Sequence, residues 1–247
     1  AATGYQPFDA SFAYLFNSYY EAVGPRHARP SRGLISRPGA LEIGVYREHV
    51  DVAMLDLDGV VYRGAHAVPG AVDAIVAARA GGVRTCFLTN NASRTAEDVA
   101  DHLRTLGIDA STVDVVTAGE AIARMVADVV EPGSTVLVVG GPGLTRPLEA
   151  LGLRCTASAD DKPVAVVQGF HPDVGWRNLA EASYAIAAGV PWFASNADLT
   201  VPTGRGTAPG NGSLIEAVRR ATGAAPVVAG KPEAGIFTEA LQRTCAQ

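Results

Sequence analysis

Two aspartates stand at the end of an apolar run in "VAMLDLDGV", residues 52–60. The run predicts a buried strand, and Asp56 and Asp58 are two residues apart in extended chain, so their side chains are expected to project the same way. Two carboxylates this close repel each other unless a proton or a cation lies between them. Mg²⁺ commonly takes one or two carboxylates and keeps water or phosphate oxygens in its other positions. The pattern therefore favours a magnesium site that binds a phosphate ester.

Further polar groups follow two other apolar runs. Thr89 and Asn90 close "VRTCFLTN", and Lys231 comes just after "APVVAG". Ligands of open parallel α/β sheets bind beyond the carboxyl ends of the strands. A carboxylate there can attack phosphorus, a second one can move the proton, and a lysine ammonium and a hydroxyl can stabilise the phosphoryl charge. Taken singly, each group has a plain alternative as a turn, a helix cap or a surface lysine. Their joint position at strand ends favours phosphoryl transfer.

The elements that would position these groups begin at residue 52. From there, short apolar runs alternate with helical stretches, which predicts an α/β domain with a parallel sheet. Ser93 or Thr95 is expected to cap a helix that ends at Gly107. Strands are expected at residues 52–58, 83–90, 134–141, 163–170, 191–196 and 225–230, and the helices between and after them include residues 145–152 and 233–245.

Composition and charge exclude several classes of protein. With 247 residues and 48% hydrophobic content, the chain can bury the core of one large or two modest domains. The net charge of −5 and the scattered basic residues argue against binding to nucleic acid or anionic lipid. No apolar stretch reaches the roughly 18 residues of a membrane span, and no signal-peptide pattern opens the chain. Three distant cysteines, Cys86, Cys155 and Cys245, indicate a reducing compartment. A cytoplasmic protein is predicted.

Three motifs carry a resemblance to a known family. "DLDGVVYRG", "LTNNASRT" and "GKPEAGIF", in this order, resemble the first three motifs of haloacid-dehalogenase-superfamily phosphatases, subclass IIA, which includes NagD and p-nitrophenyl, phosphoglycolate and glycerol-3-phosphate phosphatases. The similarity covers residues 51–247. It implies a Rossmannoid parallel-sheet core with an inserted α/β cap of the C2 type. The implied domains are an extension at 1–50, core at 51–118, cap at 119–226 and a return to the core at 227–247.

The resemblance also implies roles for single residues. Asp56 would be the nucleophile and Asp58 the general acid/base of a Mg²⁺-dependent phosphatase that forms an aspartyl phosphate, and both would hold the metal, Asp58 through its main-chain oxygen. Thr89 would bind phosphate and Lys231 would be the orienting cation. The substrate would be a small phosphorylated metabolite, and dimers of relatives make a homodimer a further implication. The implied substrate-binding set is completed by Gly59, Asn90, Asn91, Asn196 and Asp198.

Two further features of the cap region are candidates for substrate contact. One is His171. The other is the glycine-rich segment at residues 202–212, for which a plain surface turn is an equal alternative.

Two departures from the family lead to further expectations. The fourth motif, a glycine followed by paired aspartates, is not found after Lys231, where the acidic residues are Glu233 and Glu239. This predicts a core that is incomplete at its C-terminus, weak Mg²⁺ affinity and impaired activity. The alternative is a non-catalytic chain that retains only phosphate or partner binding. Residues 1–50 resemble a fragment of the DinB-like domain of ergothioneine-biosynthesis sulfoxide synthases, which suggests a fusion or a misjoined frame, but their two histidines make an iron site improbable.

Overall fold

The computed structural model describes residues 12–15 and 52–245. The chain divides into two compact units, residues 1–87 and 88–247. The expected DinB-like fragment at 1–50 lies outside the described residues except at 12–15, which form a strand. The predicted domain boundaries stay a prediction.

The first unit contains a parallel strand pair, in which Phe12 of β1 lies opposite Val52 of β2. On its other side β2 neighbours β5, whose first four residues belong to this unit. Val52, Met54 and Leu55 of β2 are buried, and since successive side chains of a strand point to opposite faces, both faces of the sheet are covered here. The elements of this unit are β1 (Phe12–Leu15), β2 (Val52–Asp56), β3 (Tyr62–Arg63), β4 (His66–Ala67), α1 (Ala71–Ala80) and the start of β5 (Arg84–Thr89).

The second unit contains a parallel sheet of five strands in the order β13-β10-β9-β7-β8. Its strands are β7 (Thr135–Val139), β8 (Arg154–Thr156), β9 (Ala165–Gln168), β10 (Trp192–Ala194) and β13 (Val227–Val228). Also in this unit are β6 (Val115–Thr117), a neighbour of β5, and an exposed antiparallel hairpin, β11 (Thr200–Thr203) and β12 (Gly206–Pro209).

In the described part of the second unit, residues 88–245, six α-helices accompany these strands. Apolar residues of the sheet and of the two helices α5 and α6 form one buried core, which includes Leu137, Val166, Trp192 and Ile215. The helices are α2 (Ala96–Thr105), α3 (Ala118–Ala127), α4 (Pro142–Ala150), α5 (Trp176–Ala187), α6 (Asn211–Thr222) and α7 (Ala234–Cys245).

Local sequence explains where two of these helices begin. Thr95 caps α2: its hydroxyl accepts from the Asp98 N–H, and the Asp98 carboxylate accepts from the Thr95 N–H. Thr117 and Glu120 repeat the arrangement at α3. Each pair satisfies N–H groups that the first helical turn leaves without a partner.

The expected α/β architecture with parallel strands is confirmed, and several of its predicted bounds are wrong. The strand expected at 52–58 ends at Asp56, and the one at 225–230 is only two residues long. The helix expected at 145–152 begins three residues earlier, where Pro142 has a ring conformation suited to a first helical turn. The segment at 202–212 is neither a loop nor a plain turn, because it completes the hairpin and starts α6.

Two findings bear on the predictions from composition. No helix in the described part of the chain is long and apolar enough to cross a membrane. Cys86 and Cys155 are not joined in a disulfide bond. Burial, with a smaller contribution from Glu149, raises the pKa of Cys155 to about 11, so this thiol is protonated at neutral pH.

Candidate active site

The two predicted catalytic aspartates occupy different positions at the end of β2. Asp56 is the last residue of the strand and is half-buried, and its Oδ1 accepts a hydrogen bond from the Leu57 N–H at 2.8 Å. Asp58 is exposed and lies beyond the strand, in an isolated bridge with Tyr62. The strand therefore ends at Asp56 and not at Asp58 as expected. The common direction of the two side chains stays a prediction.

A tight turn follows the aspartates. Gly59 has a φ of 82°, in the left-handed region that glycine enters without steric cost. Its N–H donates to the Tyr62 carbonyl at 2.8 Å, while the N–H groups of Val61 and Tyr62 donate to the Leu57 carbonyl. The turn begins immediately after Asp58, which is exposed.

The donor chemistry at this turn suits a hydrated Mg²⁺ ion. Among the described residues, no group of three or more His, Cys, Asp and Glu side chains is placed to hold a metal. Mg²⁺ does not require such a cage, since it binds through one or two carboxylates and keeps several waters. Asp56, as a carboxylate at a strand end, fits that mode of binding.

Glu239, one of the two acidic residues after Lys231, is already engaged in ion pairs. It is buried, its Oε1 accepts from Arg243 Nε at 2.8 Å, and its Oε2 lies 3.6 Å from Arg124 Nε. This carboxylate is committed to two guanidinium groups and is not placed as a metal ligand.

Thr89, Asn90 and Asn91 follow one another at the end of β5. Thr89 is buried, and its hydroxyl oxygen accepts from the Asn91 N–H at 3.0 Å. The Asn91 carbonyl oxygen in turn accepts from the N–H and the hydroxyl of Ser93 at 2.9 and 2.6 Å. These short-range bonds turn the chain sharply once the strand has ended. They leave the Thr89 hydroxyl hydrogen available to a further acceptor.

Four predicted site residues meet within the second unit, although they are far apart in sequence. The Lys231 N–H donates to Asn90 Oδ1 at 2.8 Å, and Asn90 Nδ2 donates to the Lys231 carbonyl at 3.0 Å. Asn90 Nδ2 also donates to Asp198 Oδ2 at 3.1 Å, and Asn196 Nδ2 donates to the Asn90 carbonyl at 2.8 Å. The Lys231 ammonium donates to the Leu88 carbonyl at 3.3 Å, which places it beside the end of β5.

Three buried polar residues lie behind this group: reasoning from the sequence missed Ser195 and Gln168, and it included Asn211 only as part of the segment at 202–212. Asn211 begins α6 and donates to the Asn196 carbonyl at 2.7 Å, and Ser195 Oγ accepts from Asn196 Nδ2 at 3.2 Å. Gln168, at the end of β9, lies 3.5 Å from Asn211 and is fully buried. The asparagine between two glycines in "PGNGS" could have pointed to Asn211, since small neighbours permit close approach of backbones.

The other candidates for substrate contact, His171 and the segment at 202–212, also lie in the second unit. His171 Nδ1 accepts from the Asp173 N–H at 3.3 Å, and its ring is so close to Gly141 that a Cβ there would lie 2.2 Å from a ring carbon. Arg205, at the tip of the hairpin, is exposed. Substrate contact by either feature stays a prediction.

Parallel strands joined by helices, with polar side chains gathered at strand ends, define an α/β protein of the Rossmann-like type. A family model described as haloacid dehalogenase-like hydrolase matches residues 53–154. An acid sugar phosphatase of Staphylococcus saprophyticus is 36% identical over 190 residues, covering 76% of this chain and 72% of the relative. The chain belongs to the haloacid dehalogenase-like hydrolase family.

A second relative is more similar in sequence. D-glycerol 3-phosphate phosphatase of Mycobacterium tuberculosis is 46% identical over 199 residues, covering 81% of this chain. The crystal structure of the Mycobacterium tuberculosis glycerol phosphate phosphatase in complex with magnesium superposes with a TM-score of 0.76, at 46% identity and with 80% of this chain covered. This chain spans 55% of the length of the former and 60% of the chain in the latter.

Proposed function

We propose that this chain carries the site of a phosphatase that hydrolyses small phosphate monoesters. Asp56 is the nucleophile, Asp58 the general acid/base, and Thr89 and the Asn90 main chain bind the phosphoryl group. Lys231 supplies positive charge beside it, and Gly59 and Asn91 shape the turns that surround the phosphate. Family membership and the position of these residues at strand ends support the proposal.

The chemistry follows from the residues themselves. An oxygen of Asp56 attacks phosphorus, the bond from phosphorus to the ester oxygen breaks, and Asp58 donates a proton to the departing oxygen. Asp58 then takes a proton from the water that attacks the aspartyl phosphate, which releases phosphate and restores Asp56. Lys231 and the Thr89 hydroxyl stabilise the negative charge on the transferring group. Mg²⁺, held by Asp56 and the Asp58 main-chain oxygen, would neutralise phosphate charge and relieve carboxylate repulsion.

The hydrogen bonding between Lys231 and Asn90 is the strongest single observation in support of this proposal. Lys231 is 141 residues away from Asn90 in the chain and is nevertheless hydrogen-bonded to it through both its main-chain N–H and its carbonyl. A phosphoryl-transfer site needs a cation beside the phosphate-binding strand end. The bond from the Lys231 ammonium to the Leu88 carbonyl, at 3.3 Å, supports this role for the lysine.

The experiment that tests the proposal is p-nitrophenyl phosphate hydrolysis with Mg²⁺ by the purified chain, compared with Asp56→Asn. We expect hydrolysis above background that the substitution reduces at least about 10³-fold, because no other group replaces the attacking oxygen. Asp73→Asn, on the exposed side of α1, is the matched control. Equal hydrolysis by the chain and by Asp56→Asn would contradict the assignment.

We further propose that the 247-residue chain is an impaired form of such an enzyme. The described residues contain no group of three metal-ligating side chains, and Glu239 is bound to arginines. With Asp56 and the Asp58 main-chain oxygen as the proposed ligands, we expect weak Mg²⁺ binding and slow turnover. The names of the relatives suggest glycerol phosphate and sugar phosphates as substrates to assay first. A cytoplasmic location and a homodimer remain predictions.

A further inference from the structure

The side chain of Asn90 contacts Lys231 in the way a neighbouring strand would. Its carbonyl oxygen accepts from the Lys231 N–H at 2.8 Å, and its amide nitrogen donates to the Lys231 carbonyl at 3.0 Å. A primary amide presents a donor and an acceptor side by side, as a peptide group does. Both main-chain polar groups of Lys231 are therefore satisfied by one side chain.

The same asparagine also contacts the segment that follows β10. Its Nδ2 donates to Asp198 Oδ2 at 3.1 Å, and its own carbonyl accepts from Asn196 Nδ2 at 2.8 Å. The Asp198 N–H is held in turn by Asn196 Oδ1 at 3.1 Å. Asn90 thus joins three separate parts of the second unit, namely the ends of β5 and β10 and the chain that leads into α7.

Close packing at Gly230 makes this arrangement possible. A Cβ at this position would lie 2.8 Å from Asn90 Oδ1, 2.5 Å from the Ser195 carbonyl oxygen and 3.1 Å from the Asn196 Cβ. The Asn90 amide and the Asn196 side chain are both held in place by the hydrogen bonds described above. Any side chain at Gly230 would push the Lys231 main chain away from the Asn90 amide.

We infer that Asn90 is a positioning residue whose side-chain amide sets the main chain of Lys231, and hence its ammonium group, for recognition of a phosphate monoester. The inference rests on the proposed function, and it assigns to the Asn90 side chain a role that phosphate contact through the Asn90 main chain does not include. Removal of the amide leaves the Lys231 charge intact and releases the backbone that carries it.

Amide hydrogen exchange at Lys231 tests the positional part. Lys162 and Lys231 are the two lysines of the sequence, so a chain labelled with ¹⁵N-lysine gives two backbone signals. The Lys162 N–H donates to the Ala159 carbonyl and serves as an internal reference. We expect Asn90→Ala to accelerate exchange at Lys231 about 10-fold and to leave Lys162 unchanged, because a protecting acceptor is lost. Unchanged exchange at Lys231 would overturn the inference.

Titration with inorganic phosphate tests the functional part, with the Lys231 signal as the readout. We expect Asn90→Ala to weaken phosphate binding about fivefold or more, as the loss of an aligned partner predicts. Asn90→Asp has the same shape and keeps an acceptor for the Lys231 N–H. It loses the bonds that Asn90 Nδ2 donates to the Lys231 carbonyl and to Asp198, and it places a negative charge beside Asp198. It should retain slow exchange and still bind phosphate about fivefold more weakly. Should Asn90→Ala fail to fold, unaltered phosphate binding by Asn90→Asp would overturn the inference.

Asn178→Asp is the matched control. Asn178 Oδ1 accepts from the Gly175 N–H at the start of α5, and aspartate can do the same. The Asn178→Asp variant should bind phosphate as tightly as the unaltered chain does. If the unaltered chain shows no phosphate effect at Lys231 while Asn90→Ala exchanges faster, the proposed function fails and the positional role stands. Normal phosphate binding by both Asn90 variants would overturn the inference and leave the proposed function intact.

Discussion

The guanidinium of Arg243 joins three elements of the second unit through three hydrogen bonds. It donates to Glu239 within α7, to Glu120 of α3 and to the Val115 carbonyl of β6, at 2.8, 2.9 and 2.8 Å. Burial alone lowers the pKa of Arg243, but the carboxylates of Glu120 and Glu239 outweigh it and raise the pKa above its ordinary value. The arginine is therefore charged at every pH at which the protein is folded.

Arg243→Met tests the contribution of this group to stability. The change leaves Glu239, which is 5% exposed, without its closest cation. We expect the free energy of unfolding in urea to fall by about 2–3 kcal/mol, since a buried charge that loses its partner is costly. Arg220→Met is the control: Arg220 is 82% exposed and lies 4.0 Å from Glu216. Its loss should cost less than about 0.5 kcal/mol. Equal effects of the two substitutions on the free energy of unfolding would contradict the stabilising role assigned to Arg243.

Among the helices, α2 has a start that depends on pH. Hydrogen bonds from the hydroxyl and the N–H of Thr95 hold the pKa of Asp98 below its ordinary value, against a smaller opposing effect of burial. A carboxyl with a lowered pKa in the folded state stabilises the fold above the pKa of the unfolded chain, and this contribution is lost as the pH falls through the folded-state value.

Asp98→Asn should therefore destabilise the chain by about 0.5–1 kcal/mol at pH 7, the usual value for a lost cap interaction. The difference from the unaltered chain should shrink as the pH drops below 3.8, the ordinary pKa of the group. Urea unfolding at a series of pH values measures it. A difference that grows toward low pH would refute the assignment.

A glycine controls how closely the start of α4 approaches the chain before α2. A Cβ on Gly143 would lie 2.4 Å from the Ala92 carbonyl oxygen and 2.6 Å from that of Arg94. Both obstacles are backbone atoms, which cannot rotate away. Gly143→Ala should lower the midpoint of urea unfolding by the equivalent of about 2 kcal/mol or more. At Gly204→Ala, where no atom lies within 4 Å, the midpoint should stay nearly constant. A stable Gly143→Ala chain would show that the helix shifts freely.

Prediction from sequence succeeds for some elements and fails for others for a physical reason. Buried strands such as β2 and β5 are runs of apolar residues and are recognised from their own sequence. The hairpin β11–β12 is exposed and rich in Thr, Gly and Pro, so it lacks that signal. The polar groups at strand ends could be named in advance. The pairing of Asn90 with Lys231 could not, because local patterns hold no information about contacts 141 residues apart.

For the molecule as a whole, the central expectation concerns its response to Mg²⁺. With Asp56 and Asp58 as the proposed ligands, about 10 mM Mg²⁺ should raise the free energy of unfolding by less than about 1 kcal/mol, as a dissociation constant near that concentration requires. Asp56→Asn should abolish the gain, and Asp73→Asn should keep it. Calorimetric titration measures the affinity directly. Binding in the micromolar range would contradict the proposed impairment and would require a further carboxylate ligand.

The close approach at Gly230 has a practical use in sorting genomic sequences. Chains that share the threonine–asparagine pair and the later lysine can be divided by the residue that precedes the lysine. Where that residue is glycine, the asparagine amide can form both of its hydrogen bonds to the lysine main chain without a steric clash. Where it is alanine or anything larger, a Cβ would meet the Ser195 and Asn90 oxygens at less than 3 Å, and the lysine must be held in another way. A single letter of sequence thus separates two classes of site that motif matching alone would merge.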